Sequence, residues 1–184
     1  MVKIMKSEMH YDKIRRGSGF LYHLPQYRFI FWKRKCEKYR NKLIYPIVRI
    51  IYEHYRIKYG IDIAAQTFIG RGFRIEHIGG IVINPEAKLG CNITILNGVL
   101  IGAENRGIRV GVPTIGNDVW IGTNAIIVGN IKIGSDVLIA PGAYVNFDVP
   151  DHSIVIGNPG KVISRDNATL GYLSNKIDVR DYNC

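Results

Sequence analysis

Cysteine is scarce and scattered in this chain. Cys36, Cys91 and Cys184 are odd in number and form no C-x-x-C pair, which excludes a disulfide framework as the basis of the fold and predicts reduced thiols in a cytosolic protein. No apolar run reaches the length needed to cross a bilayer, and the first residues lack the apolar core of a signal peptide, so the expected location is cytoplasmic. Acidic residues are thin at one end only. Residues 1–60 hold 15 Lys and Arg against 4 Asp and Glu, a net +11, whereas residues 61–184 hold 10 against 11, a net −1. The overall formal charge of +10 therefore belongs to a basic leader, and the rest of the 184 residues is electrically neutral.

The periods of a lone amphipathic helix and of a plain strand pair are also missing from the longer part of the chain. What stands there is a beat of six. Ile115, Ile121, Ile127, Ile133, Ile139 and Val145 fall six apart, and upstream the beat returns at Ile63, Ile69, Ile75 and Ile81, slips by two residues, and resumes at Ile83, Leu89, Ile95 and Ile101. Two residues before most of these aliphatics sits a second small or β-branched residue, among them Thr67, Ala87, Ile93, Val99, Val119, Ala125, Ile131, Val137 and Ala143. A sixfold repeat punctuated by Gly, Asn and Asp fits a parallel β-helix, in which short strands meet at corners and the aliphatics turn inward. Three hexads make one triangular coil, and coils stack at roughly 4.8 Å. A longer excursion, Ala103 to Thr114, interrupts the beat.

Around this coil the chain divides into a basic arm with helices at 1–59, the β-helix at 60–163 and a polar tail at 164–184. Residues 1–25 read as a partly ordered arm with R-R-G-S-G at 15–19, and a break at Pro25. Leu43, Ile47, Ile50, Ile51 and Ile57 carry near-helical spacing, with Pro46 opening a second helix or kinking a single one. Three uses of the leader stay open. It caps the exposed strand edges of the coil or packs on a neighbour; residues 26–59 lie on an anionic membrane surface; or the charge meets nucleic acid, for which no recognition motif is present. The tail either drapes over a neighbour or has no fixed structure.

Histidine is sparse as well. Of five, only His77 lies within the repeats, in the phrase R-I-E-H-I-G-G beside the two-residue slip. A His at an irregular corner, with Glu76 beside it and Gly79 and Gly80 permitting close approach, can take the proton of an attacking hydroxyl because its pKa lies near working pH. Asp62, 15 residues earlier, falls near it in projection, where a carboxylate holds the imidazole in one tautomer. From the residues alone, a turn-capping His77 and a strand-initiating Asp62 remain equal alternatives. His152 reads as structural.

The phrases G-I-D-I at 60–63, I-G-R-G at 69–72, E-H-I-G-G-I-V-I at 76–83, W-I-G-T-N-A at 120–125, G-N-I-K-I-G at 129–134 and V-P-D-H-S-I-V-I-G-N-P-G-K-V-I at 149–163 closely resemble the hexapeptide acyltransferases of the serine acetyltransferase branch. The resemblance implies a mainly β fold, a left-handed parallel β-helix that departs from the usual right-handed crossover, assembled as a homotrimer with active sites between subunits. It assigns His77 as general base, Asp62 as its support and Glu76 as a contact to the acceptor. It places acetyl-CoA, the co-substrate, in a groove along the later repeats against backbone groups of Thr123, Asn124, Ala125, Ala140 and Gly142, with Lys161 meeting a phosphate. Trp120 lines that groove or simply packs. No metal is implied, since the zinc enzymes built on a similar coil use several histidines.

One departure shapes the expected acceptor. The family carries Arg-His-Pro at the end of the excursion, where this chain has Gly111, Val112 and Pro113. A serine carboxylate thereby loses its partner unless Arg106 or Arg109 replaces it. On that ground the chain resembles the related enzymes that acetylate sugar hydroxyls in surface polysaccharide synthesis, and a saccharide acceptor is the leading expectation. L-serine acetylation for cysteine biosynthesis is the second, and a non-catalytic β-helical scaffold the third.

Overall fold

A computed structural model describes residues 8–16 and 22–178. Three helices precede the coil: α1 (Glu8–Arg16), α2 (Pro25–Tyr39) and α3 (Tyr45–Lys58). The arm expected to be partly ordered contains a helix, α1, while the Gly17–Gly19 part of its basic phrase lies outside the described residues. Pro25 and Pro46 each stand in the first turn of a helix, where the missing N–H would have had no partner. Pro46 therefore opens α3.

The coil has three faces. One carries β1 (Ile61–Ile63), β4 (Ile81–Ile83), β7 (Leu100–Gly102), β10 (Ile126–Val128) and β13 (Tyr144–Val145); the second β2 (Phe68–Ile69), β5 (Lys88–Leu89), β8 (Thr114–Ile115) and β11 (Lys132–Ile133); the third β3 (Arg74–Ile75), β6 (Thr94–Ile95), β9 (Val119–Ile121), β12 (Val137–Ile139), β14 (Ser153–Ile156) and β15 (Lys161–Ser164). All neighbours pair in parallel except β14 with β15, which form an antiparallel hairpin. The closing phrase therefore makes two strands, β14 and β15.

The repeat stacks like on like. Ile69 lies opposite Leu89 and Leu89 opposite Ile115, and Ile95 opposite Ile121, which in turn faces Ile139. Every one of these aliphatics is almost wholly buried, each contributing about 1.5–3 kcal/mol of burial. The second residue of each hexad turns inward too: Ala87, Ile93, Val99, Val119, Ala125, Val137 and Ala143 have no exposed surface.

The slip in the beat has a specific location. Ile81 and Ile83 are both inward residues of β4, and Ile83 lies opposite Ile101, so nothing is inserted between them. The two additional residues sit in the preceding corner, Glu76–Gly80, where the equivalent corner of the next coil needs only Leu96–Gly98. Gly79 and Gly80 carry it at φ 103° and 65°, a region open to glycine at little cost. His77 and Ile78 stand exposed at its tip.

The helices close the lower end of the coil, whose strand edges would otherwise present unpaired carbonyls. Lys33 Nζ donates to the Thr67 carbonyl at 2.8 Å, and the Arg34 guanidinium to those of Ile69 and Gly70 at 2.8 and 2.7 Å. The Tyr52 hydroxyl donates to the Ile63 carbonyl, and Asp12 accepts the Phe73 N–H at 2.9 Å. Burial works against the Arg34 charge, yet the carboxylates of Asp12 and Glu37 overcome it and hold the guanidinium protonated. Of the leader's three possible uses, capping is thus realised, but through α2 and the inner face of α3 (Phe29, Val48, Tyr52), all buried. The stripe picked out from spacing is different: Leu43, Ile47, Ile50 and Ile57 are exposed.

The tail packs on its own protomer. Ala168 and Thr169 donate to the Asp136 carboxylate, and Asn92 exchanges two hydrogen bonds with the backbone of Ile177 at 2.9 and 3.0 Å. Cys36 is a free, buried thiol, whereas Cys91 is disulfide-bonded, which corrects the expectation of a reduced thiol there. Cys184 lies outside the described residues.

Candidate active site

His77 reaches its position because the Glu76–Gly80 corner bulges outward. Its imidazole is exposed and has no hydrogen-bond or ion-pair partner among the described residues. Asp62 occupies the middle of β1, opposite Val82 of β4, with its side chain on the outer surface. Both therefore lie toward the first face of the lowest coils. They do not touch. The Asp62 carboxylate is instead ion-paired with Arg56 at the end of α3, and Arg56 is shared with Glu53 at 2.5 Å. A shallow cavity of about 260 Å³ opens here, lined by Arg56, Gly60, Asp62, Ile81 and Val82.

Glu76 is also engaged. Its carboxylate is gripped in bidentate fashion by Arg74, at 2.8 and 3.1 Å, and its carbonyl accepts from Gln26. Residues two apart on a strand share one face, so Arg74 beside Glu76 is a pairing that the sequence offers and the motif reading passes over. Arg56, six residues before Asp62, carries no such signal.

The excursion folds back on itself through an antiparallel bridge between Glu104 and Gly111. With Phe147 and Asn146 it walls a cavity of about 390 Å³ that Arg106 and Arg109 also line. Arg109 reaches Asp148 at 3.4 Å, a loose contact. The Arg106 guanidinium has no partner among the described residues, so this loop keeps an available cation despite Gly111 and Val112. The excursion leaves the coil at the corner between the first and second faces, whereas His77 stands at the corner between the third and first. A single protomer holds them on different edges of the prism.

Of the residues nominated for acetyl-CoA, Trp120 and Ala140 line one cavity of about 580 Å³ on the third face. Its other wall is the tail, where Tyr172 packs on Trp120 with ring centroids 4.9 Å apart. Tyr172 is a wall residue the sequence did not reveal. Thr123 is tied to Asn97 at 3.1 Å, and Asn124 adopts φ 58°. Ala125 points its methyl inward, so only its backbone faces a ligand. The N–H groups of Asn124, Ala125, Ala140 and Gly142 already donate within the coil, which leaves carbonyl lone pairs and unpaired side chains to meet a pantetheine. Lys161 is exposed at the start of β15, opposite Ile156. No cluster of three or more metal-ligating side chains occurs among the described residues.

His152 is bonded to Asp136 at 2.9 Å. That hydrogen bond raises the imidazole above its ordinary pKa. On Asp136, burial pushes the carboxyl up, but hydrogen bonds from Thr169, His152 and Ala168 outweigh it and hold it below the usual range. The pair anchors the tail and plays no part in the lower corner.

Residues 113–146 match the family described as bacterial transferase hexapeptide (six repeats). The chain is 36% identical over 143 residues to the serine acetyltransferase of Bacillus pumilus, covering 78% of this chain and 65% of that relative's length. Among solved structures it is similar to the serine acetyltransferase of Neisseria gonorrhoeae, with TM-score 0.70, 31% identity and coverage of 86% and 64% of the two chains. It is also similar to the Brucella abortus serine acetyltransferase in complex with coenzyme A, with TM-score 0.71, 26% identity and coverage of 86% and 66%. The chain thus spans about two thirds of the length of these relatives. They overturn the saccharide expectation: the proteins it is similar to are serine acetyltransferases, and the loop that motivated a neutral acceptor retains the Arg106 cation.

Proposed function

We propose that this chain transfers an acetyl group from acetyl-CoA to the hydroxyl of L-serine. The observation that carries the reading is His77, without a hydrogen-bond or ion-pair partner among the described residues, on the bulged corner that leads into β4, the strand paired with Asp62's β1, in a chain similar to serine acetyltransferases. His77 takes the serine proton as the oxygen attacks the thioester carbonyl; the tetrahedral intermediate collapses and the CoA thiolate leaves, protonated in turn. Asp62 orients the imidazole once a bound acceptor draws it toward His77. Arg106 meets the serine carboxylate, and Arg109 assists after parting from Asp148. Because the cation loop and His77 lie on different edges of the coil, the working site takes the loop from a neighbouring copy, in keeping with a trimer. Trp120, Ala140 and Tyr172 border the coenzyme, and Lys161 meets one of its phosphates.

The test is release of free thiol from acetyl-CoA. Release that depends on L-serine and saturates with it supports the reading. Release that is indifferent to serine overturns it, and no release with any amino-acid acceptor returns the molecule to a non-catalytic scaffold.

A further inference from the structure

Helix α3 buries one face and leaves the other without a partner. Val48 and Tyr52 pack inward at 4% and 0% exposure, while Ile47, Ile50 and Ile57 on the opposite side are exposed at 61%, 70% and 76%, with Leu43 in the preceding turn fully so. Within α3 the spacing 47, 50, 54, 57 is one helical stripe, and only His54 interrupts its apolar character. Lys38, Arg40 and Lys42 precede the stripe and Lys58 ends it; all four are exposed and make no ion pair among the described residues. Capping does not use this face, and the cavities near Trp120 and Arg106 do not involve it; of its residues Ile57 alone also borders the shallow cavity at Asp62, so Ile47 and Ile50 are the positions that separate this face from that site.

We infer that the outer face of α3 is a docking surface for an anionic lipid membrane. Aliphatic side chains flanked by Lys and Arg are what enter the boundary between headgroups and acyl chains while the cations meet the lipid phosphates. Charge decides against the rival occupants. A second copy placed face to face would set one basic leader, net +11 over residues 1–60, against another. A nucleic-acid phosphate backbone would engage the cations and leave four aliphatics without a place. No helix among the described residues is long and apolar enough to cross a bilayer, so the mode is lying on the surface. The inference stands whether or not serine is the acceptor.

The experiment is sedimentation with vesicles of phosphatidylcholine alone and of phosphatidylcholine with phosphatidylglycerol, using the full chain. The expected result is binding to the anionic vesicles only, weakened by salt and reduced about tenfold or more by the pair Ile47→Glu and Ile50→Glu. These positions are exposed, so circular dichroism and thermal melting should match the parent; should the pair melt early, Lys42→Glu with Lys58→Glu supplies the second variant and must weaken binding similarly. Absence of vesicle binding overturns the inference, as does binding that both variant pairs leave unchanged. A lower molar mass by light scattering in the Ile47→Glu, Ile50→Glu pair, with vesicle binding unaltered, assigns the face to a second copy and overturns it equally.

Discussion

The carboxylate of Asp62 is ion-paired with the guanidinium of Arg56, which joins the last turn of the capping helices to the first strand of the coil. The same contact sets what Asp62 can do. In an isolated protomer it serves Arg56, and it turns to His77 only if a bound acceptor makes that exchange favourable. Replacement by Asn keeps the size and removes the charge. Asp62→Asn should lower kcat for serine by about tenfold or more while leaving KM within a small factor, because the loss falls on the imidazolium that forms in the transition state. Steady-state thiol release at varied serine separates the two constants.

His77→Ala should reduce kcat by roughly 10²- to 10⁴-fold, the range for removing a general base. The side chain is exposed and makes no hydrogen bond or ion pair among the described residues, so the melting temperature should stay at the parent value, stability changing by no more than about 0.5 kcal/mol. A variant that melts early would show that the ring has a structural duty.

The excursion loop gives a contrast between two neighbours. Among the described residues the Arg106 guanidinium has no partner to give up, whereas Arg109 must leave Asp148. Charge-assisted hydrogen bonds contribute about 1.5–3 kcal/mol, so Arg106→Ala should raise KM for serine about 10- to 150-fold with kcat little changed, and Arg109→Ala should do so less. The order reverses only if Arg109 is the carboxylate partner and Arg106 a surface cation.

Most of the coil was legible because its repeat is set by one physical requirement: an aliphatic that turns inward every sixth residue. Ile115, Ile121 and Ile133 needed no tertiary information. The corner at Glu76–Gly80 was legible as an irregularity but not in its location, since Ile81 and Ile83 both face inward and the count alone cannot say on which side of Ile81 the additional residues fall. The helices were harder. Near-helical spacing found the stripe at Ile47, Ile50 and Ile57 but left its use open among capping, a membrane surface and nucleic acid, because the groups that hold α2 to the coil are charged and do not belong to that stripe. Nothing local in the sequence marks Lys33 and Arg34 as caps; their role follows from the open carbonyls of Thr67, Ile69 and Gly70 beneath them. The pairings of Asp62 with Arg56 and Glu76 with Arg74 depend on how the helices and the first coil meet, which no local pattern encodes.

That cap makes a stability prediction. Arg34 is buried with Asp12 and bonds two strand carbonyls. Arg34→Met keeps the length of the stem but leaves a buried carboxylate uncompensated and two carbonyls unpaired, a loss of about 3–5 kcal/mol. Urea denaturation should show a lower midpoint, and the companion change Asp12→Asn should recover part of it by removing the stranded charge.

The pair of His152 and Asp136 predicts a pH window for the tail. His152 is raised in the folded state, so its contribution is fully present below its unfolded pKa of about 6.5 and is lost as pH rises through the folded value. Asp136 is lowered, so its contribution is present above its unfolded pKa of about 3.9 and is lost as pH falls through the folded value. Between those limits both groups are charged and the turn at Ala168 and Thr169 is held. His152→Ala should therefore lower the melting temperature more near pH 5 than near pH 9, relative to the parent at the same pH, because only the hydrogen bond of the neutral ring remains at the higher pH. Titration of the His152 ring proton by NMR should place its midpoint above the ordinary imidazole value, and Asp136→Asn should return it toward that value. A midpoint unmoved by Asp136→Asn would remove the carboxylate as the cause.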